Sequence, residues 1–298
     1  MTTEKIGFIG VGLMGHGMAK NIVAAGYPTT ILGHRNRKPV EDLLGRGATE
    51  ARSAKVLAEA SDIVFLCVTG SEQVVSVIEG ENGLAAAGKP LLIVDCSTSD
   101  PSVTTRLAAD LAAKKITLID APLSRTPKDA WDGTLDVMIG GDPADVARVR
   151  PIIERFAQRI VPTGPTGTGH TMKLLNNFLA LGYGALYAEA LMLGAKSGLK
   201  AEVFDQVIRG GRMDCGFYQT FFKYVLDRDR DAHKFSLRNA LKDTSYLAAF
   251  AQASCAANPI AAAVRNSYAL AVGTGHGDDY VPMLSDVVAK LNGIETAS

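Results

Sequence analysis

Cysteine, tryptophan and net charge are what this 298-residue chain has least of: four cysteines, one tryptophan, and formal charges that cancel to zero. Cys67, Cys96, Cys215 and Cys255 are scattered, with no CxxC pair and no histidine at metal-ligand spacing. That spacing argues against a disulfide framework or a zinc site and fits a reducing cytoplasm. Zero net charge leaves no electrostatic footprint for nucleic acid or an anionic membrane surface. Residues 1–8 carry Glu4 and Lys5 and lack a long apolar run, so a signal peptide is not expected there. No internal repeat or low-complexity tract is visible. One stretch, residues 174–195, is apolar enough to raise a membrane question, but it contains Asn176, Asn177 and Glu189. Those side chains are costly in lipid, and a buried helix of a soluble protein is the expected reading. At 47% hydrophobic and 21% charged the composition is that of a globular protein, and the length suits two domains.

The first half alternates strand-like and helix-like segments. Short apolar or β-branched runs fall at residues 5–9, 29–32, 63–68, 91–94, 116–119, 135–139 and 159–161, with helical patterns at 13–25, 103–114 and 144–156. Such alternation predicts a parallel sheet covered on both faces by right-handed crossovers, a doubly wound α/β domain. After the small-residue run 164–169 the strand signal ends. Residues 170–196 read as one helix about 40 Å long at 1.5 Å per residue. It is apolar nearly all round and therefore expected to be buried, with Gly198 as its stop. Further helices are expected at 201–209, 216–226, 237–257, 260–274 and 280–291. The predicted boundary lies near Gly164, giving a dinucleotide-binding Rossmann domain over 1–164 and an all-α domain over 165–298.

The dinucleotide assignment starts from Gly10-Val11-Gly12-Leu13-Met14-Gly15, a GxGxxG that follows a strand and opens a helix. Gly10 permits the tight turn, Gly12 lets backbone approach a pyrophosphate, and Gly15 allows close helix–strand packing. The helix N-terminus offers its N–H groups to the phosphates. About 20 residues on, an NAD enzyme places a carboxylate for the ribose 2′-hydroxyl. This chain has Gly33-His34-Arg35-Asn36-Arg37-Lys38 instead. Arg35 with Asn36, joined by His34 and Arg37, is suited to a 2′-phosphate, which favours NADP over NAD. A solvated basic loop is the alternative.

Five motifs then carry a resemblance: FIGVGLMGHGMAKNI at 8–22, DCSTSDP at 95–101, DAPLSRTPKDAWDGTL at 120–135, GPTGTGHTMKLLNN at 164–177 and LKD at 241–243. In this order the chain resembles the β-hydroxyacid dehydrogenase family over nearly its whole length. That family includes 3-hydroxyisobutyrate dehydrogenase and the tartronate semialdehyde, glyoxylate/succinic semialdehyde and sulfolactaldehyde reductases. The resemblance implies a Rossmann domain followed by an all-α domain, joined by a long interdomain helix that carries a catalytic lysine, here Lys173. The residues agree with it. Carbonyl reduction needs a proton delivered to oxygen, the reverse oxidation needs a base, and a lysine in an apolar setting serves both. Asn176 and Asn177 share a helical face with Lys173. The resemblance gives Asn177 a role in orienting substrate and lysine, with Asn176 open between that role and interhelical hydrogen bonding.

The resemblance also implies that Ser124 and two following glycines bind the substrate carboxylate. Here Arg125 and Thr126 replace the glycines. A guanidinium binds an oxyanion in bidentate fashion, so Arg125 is expected either to grip an anionic tail, carboxylate or sulfonate, or to cover the rim of the cleft. Ser97 and Thr98 follow a strand end and are expected near the nicotinamide ribose and substrate. Val68 and Thr69 are placed on the adenosine side. Lys242 matches a family position that reaches the cofactor. Phe235 matches an aromatic near it, with core packing the equal alternative, and Asp243 is open between orienting Lys242 or approaching substrate and a helix-surface ion pair. The expected partner is a small acidic hydroxy acid or semialdehyde, and the expected assembly a homodimer or homotetramer, argued from the apolar helix and alanine-rich C-terminal helices. Three readings compete with the general dehydrogenase: a sulfolactaldehyde-type reductase using Arg125, a non-catalytic cofactor-binding interaction module and, ranked below them because Lys173 stands where imine reductases usually place another residue, an imine reductase of similar architecture.

Overall fold

Side chains along the central strands alternate between two buried layers, so the sheet is covered on both faces. Ile63 and Phe65 enter one core with Phe8, Leu92 and Val94, while Val64 and Leu66 enter the other with Ile9, Leu91 and Ile93. Each such side chain contributes about 1.5–3 kcal/mol by burial. The computed structural model describes residues 4–295, which fall into two units that change between Lys173 and Leu174. The first unit runs β1 (Ile6–Ile9), α1 (Gly15–Ala24), β2 (Thr29–Leu32), α2 (Lys38–Gly45), β3 (Thr49–Ala51), α3 (Ala54–Glu59), β4 (Ile63–Leu66) and α4 (Ser71–Glu79). It continues with β5 (Leu91–Asp95), α5 (Pro101–Ala112), β6 (Ile116–Asp120), β7 (Leu123–Ser124), α6 (Pro127–Asp132), β8 (Leu135–Gly140), α7 (Pro143–Ile153) and β9 (Ala157–Gly164).

The strand order begins β3-β2-β1-β4-β5-β6, all parallel, the order of a doubly wound dinucleotide fold. The expected all-parallel sheet needs one correction. β8 runs antiparallel to β6 and β7, and β9 runs parallel to β8. The link from β6 to β8 is the short strand β7 and the six-residue helix α6, and reversing direction asks less of a connection than a full crossover does.

Pairing brings the ends of five strands level. Leu32 lies beside Ile9, Ile9 beside Leu66, Leu66 beside Asp95, and Asp95 beside Asp120. Each of the loops that follow leaves the sheet from this rim. Helices α5 and α7 start earlier than their apolar pattern indicates, because Asp100 and Asp142 cap them and Pro101 and Pro143 occupy the first turn.

Helix α8 (Thr168–Lys196) begins in the first unit and continues into the second, where α9 (Ala201–Ile208), α10 (Gly216–Asp227), α11 (Leu237–Ala253), α12 (Pro259–Ala271) and α13 (Leu284–Leu291) follow. The core of the second unit gathers Leu181, Ala188, Tyr218, Phe221, Phe222 and Tyr268. The Tyr268 hydroxyl donates to the Leu181 carbonyl at 2.8 Å. Gly198, at φ +82°, follows the last turn of α8. The expectation that α8 is buried all round is overturned. It is long and apolar enough to cross a membrane, yet only 22% of its most apolar window is buried. Leu175, Leu179, Tyr183, Leu186 and Leu193 are exposed. The core of the second unit covers the face carrying Leu181, Ala185 and Ala188, and an all-round apolar helix needs cover on its other side too.

Candidate active site

The loop after β1 is a tight turn held by its glycines. Gly10 has φ +99°, and a Cβ there would fall 2.2 Å from the Cys67 carbonyl oxygen. At Gly15 a Cβ would fall 2.0 Å from the Gly10 oxygen and 2.9 Å from the Phe8 ring. At Gly12 nothing lies within 4 Å of that position. Two of the three glycines therefore serve the protein's own packing, and the third leaves its outer side open. Val11 is buried and Leu13 exposed, and Met14 precedes α1 without a side-chain cap or a first-turn carboxylate. An open glycine beside an uncapped helix N-terminus is a fit for a dinucleotide pyrophosphate.

At the end of β2 the basic residues separate. Arg37 forms a two-pronged ion pair with Glu50 of β3, at 2.7 and 2.9 Å, and each partner holds the other in its charged form. Asn36 accepts from the Lys38 N–H at 3.2 Å. His34 and Arg35 are exposed, and among the described residues no ion pair involves Arg35. Arg37 is thus committed to Glu50, which leaves Arg35 as the guanidinium available to a ligand.

The loops after β4 and β5 are tied together. The Ser97 hydroxyl accepts from the Val68 N–H at 3.0 Å, and the Asp95 carboxylate accepts from the Ser97 N–H at 2.9 Å and the Ser99 hydroxyl at 3.0 Å. This fixes the backbone on which Thr69 and Thr98 stand. Burial pushes the Cys67 thiol up to about 12 and Cys96 well above its usual range, so neither is a nucleophile near neutral pH.

β7 carries Ser124, half-buried. The next residue, Arg125, has φ +87°, a conformation that favours glycine. Its Nε donates to Asp136 of β8 at 3.0 Å. With the Gln158 amide turned so that its oxygen faces the guanidinium, the two terminal nitrogens donate to it at 2.9 and 2.6 Å. The Thr126 N–H donates to Asp129 at 3.0 Å and its hydroxyl also meets that carboxylate, a capping box that starts α6. Arg125 keeps a glycine-like backbone while its head points to β8 and β9.

Lys173 stands half-buried in the second turn of α8. The helix start is anchored from outside: the Asp120 carboxylate accepts from the Gly167 N–H and the His170 N–H, each at 2.6 Å. In the second unit, buried Asn177 donates to Asp243 at 2.7 Å, Lys242 pairs with Asp243 at 3.1 Å, and the Lys242 ammonium lies 5.4 Å from the centre of the Tyr246 ring. Asn176 reaches the Asn177 amide oxygen at 3.5 Å, and Phe235 packs beside the second-unit core.

Residues 5–164 match the profile described as the NAD-binding domain of 6-phosphogluconate dehydrogenase, and residues 167–285 the profile described as NAD-binding of NADP-dependent 3-hydroxyisobutyrate dehydrogenase. The chain belongs to the β-hydroxyacid dehydrogenase family. Within that family of nicotinamide-dependent oxidoreductases it is 36% identical to 3-hydroxyisobutyrate dehydrogenase of Pseudomonas aeruginosa, over 89% of this chain and 91% of the relative. It is 31% identical to 3-sulfolactaldehyde reductase of Escherichia coli, over 95% of each. The solved structure of Mycobacterium tuberculosis 3-hydroxyisobutyrate dehydrogenase with L-serine superposes with a TM-score of 0.85 at 26% identity, covering 96% of this chain and 99% of that one.

Two features of this family member escaped the sequence reading. Asp95 and Asp120 stand inside motifs that were read for their serines, and only the strand register shows both carboxylates at the rim. His170 reads in sequence as the first residue of a helix, and it is fully buried. A histidine at the end of a glycine-rich run, in the first turn of a helix, gives no periodic signal of burial.

Proposed function

We propose that this chain transfers hydride between a nicotinamide dinucleotide, with NADP preferred, and a small anionic 3-hydroxy acid or its semialdehyde. The observation that carries the reading is the level rim. The glycine loop and the Ser97–Thr98 backbone leave the sheet there, the chain passes from it into Ser124 of β7, and Asp120 on the same rim holds the start of the helix that bears Lys173. The bound dinucleotide supplies or accepts the hydride. In the direction of reduction the Lys173 ammonium donates a proton to the carbonyl oxygen as it becomes a hydroxyl, and in oxidation the neutral amine takes that proton back. The family resemblance assigns Asn177 to orienting the substrate, and Lys242 and Phe235 to the cofactor. Following nicotinamide absorbance with NADPH and NADH against a panel of semialdehydes and hydroxy acids tests the reading. Turnover of none of them, with dinucleotide still bound, favours the non-catalytic cofactor-binding module. The four unpaired cysteines fit a reducing cytoplasm.

For the anionic tail we favour Ser124 and the backbone of the loop, because the Arg125 head is engaged by Asp136 and Gln158. The second reading, a guanidinium grip as in a sulfolactaldehyde-type reductase, draws support from the E. coli relative. Arg125→Gly separates them. A backbone cradle keeps KM for the acidic substrate within about threefold. Loss of a guanidinium grip raises it about 10- to 100-fold, the worth of a charge-assisted hydrogen bond.

The exposed face of α8 supports assembly into a homodimer or homotetramer. Leu175, Leu179, Leu186 and Leu193 present an apolar stripe of the kind that marks an interface. Sedimentation of the wild-type chain is expected to give a multiple of the monomer mass, and Leu179→Glu with Leu186→Glu to shift it towards monomer. A wild-type monomer, or one that floats with lipid vesicles, removes this reading.

A further inference from the structure

Between the rim of the sheet and the first turn of α8 lies a closed polar cluster that the proposed chemistry does not use. Asp95, Asp120 and His170 are each at most 1% exposed. The His170 ring stands between the two carboxylates, with Nε2 3.7 Å from Asp95 and Nδ1 3.8 Å from Asp120. Nδ1 is 2.8 Å from the Thr104 hydroxyl, which itself reaches the Asp100 carbonyl at 3.2 Å. A hydroxyl has one proton. With that proton on Asp100, the Thr104 oxygen is left to accept from Nδ1–H. Nε2 has no hydrogen-bond partner among the described residues. A buried ring edge held between two carboxylates is a costly arrangement to keep for packing alone.

The space for the Asp120 carboxylate is made by glycines. A Cβ at Gly140 would fall 2.7 Å from one carboxylate oxygen, and a Cβ at Gly169 would fall 2.8 Å from the other. Gly167, which donates to Asp120, has φ +96°. The small-residue run 164–169, which reads in sequence as punctuation between domains, is therefore a socket for a carboxylate. Two N–H groups at the start of α8 meet the two oxygens separately, so both the rotation and the height of the helix are set by β6. Lys173 follows His170 by three residues, about 4.5 Å along the axis. Three residues after Asp120 the same chain enters β7 at Leu123, and Ser124 follows. Asp95 meanwhile shapes the loop of Ser97 and Thr98.

We infer that Asp120, with His170, is a positioning residue that sets the Lys173 amine in register with Ser124. The inference rests on the lysine reading given above. Asp120→Asn keeps the size of the side chain but turns an NH2 group towards one of the two helix N–H groups, so the helix start must shift. A displacement of about an ångström is enough to slow a chemical step severely. We expect Asp120→Asn, and independently Gly169→Ala, to lower kcat about tenfold. The Kd for the dinucleotide, read by quenching of Trp131 fluorescence or by calorimetry, stays within twofold.

Lys173→Ala supplies the control. If Asp120 acts through the lysine, adding Asp120→Asn to Lys173→Ala lowers the residual rate no further. An additive loss overturns the inference, as does an unchanged kcat in either variant. Loss of dinucleotide binding in both variants also overturns it, because it assigns the cluster to the stability of the unit. A Lys173→Ala enzyme with full activity sinks the lysine reading itself. An inactive Lys173→Ala enzyme beside a fully active Asp120→Asn enzyme sinks only the positioning role.

Discussion

Lys173→Ala is expected to lower kcat by between about 10² and 10⁴, the range of a lost general acid/base, while the dinucleotide still binds. The separation follows from the architecture. The glycine loop, Arg35 and the Ser97–Thr98 backbone lie in other loops of the sheet rim, and Ser97 is held by Val68 and Asp95. The helix start is held by Asp120 through the Gly167 and His170 N–H groups, so truncating a side chain in the next turn leaves the anchor intact. Lys173→Arg is the sharper form of the test. It keeps the positive charge but replaces an amine that can give up its proton with a guanidinium that stays protonated. We expect it to recover substrate binding and little of kcat. Steady-state kinetics with a direct measurement of dinucleotide Kd checks both variants. A Lys173→Ala enzyme within a few-fold of wild type would remove the lysine from the reaction.

Arg35→Ala is expected to weaken NADPH relative to NADH by between about 10- and 150-fold, the worth of one or two charge-assisted hydrogen bonds. The argument is one of elimination at the end of β2. Arg37 is committed to Glu50 by two bonds, and Asn36 to the Lys38 N–H. Glu50 is the carboxylate near this corner that could otherwise serve a ribose hydroxyl, and Arg37 neutralises it. Arg35 stays exposed on the same turn. The companion variant Arg37→Ala sets Glu50 loose, and its repulsion of a 2′-phosphate should move the preference the same way. The ratio of kcat/KM for the two dinucleotides is the measurement. A ratio unchanged in Arg35→Ala would return this loop to the status of a solvated turn.

The sequence made the fold legible where the residues obey a period. The continuous apolar runs of β4 and β5 announce a sheet buried on both faces, and the GxGxxG announces its own strand, turn and helix. Short or mixed elements left no such trace. β3 is three residues with two of them exposed, and α6 is a six-residue helix set by a capping box. Helix α8 misled in an instructive way. Its pattern reports how much apolar surface needs cover, and says nothing of whether one chain provides it. For the site, Ser124, Ser97 and Lys173 were legible as motif residues. Arg125 was read by its charge, whereas its φ and its hold on Asp136 and Gln158 depend on strands that come later in the chain. The Asp120 socket was invisible for the same reason. It joins residues 47 and 50 positions apart, and only strand order brings them together.

The level ending of five strands has a consequence for how such an enzyme diversifies. Each loop departs from its own strand, and the strands below it are locked by pairing and by two apolar layers. Substrate and dinucleotide preference can therefore drift one loop at a time, as Arg125 in a glycine's place illustrates, without renegotiating the scaffold. The residues that bridge loops are under the opposite constraint. A mutation at Asp95 or Asp120 disturbs several functions at once, so natural variation should gather at the tips of the loops and thin out at the carboxylates beneath them.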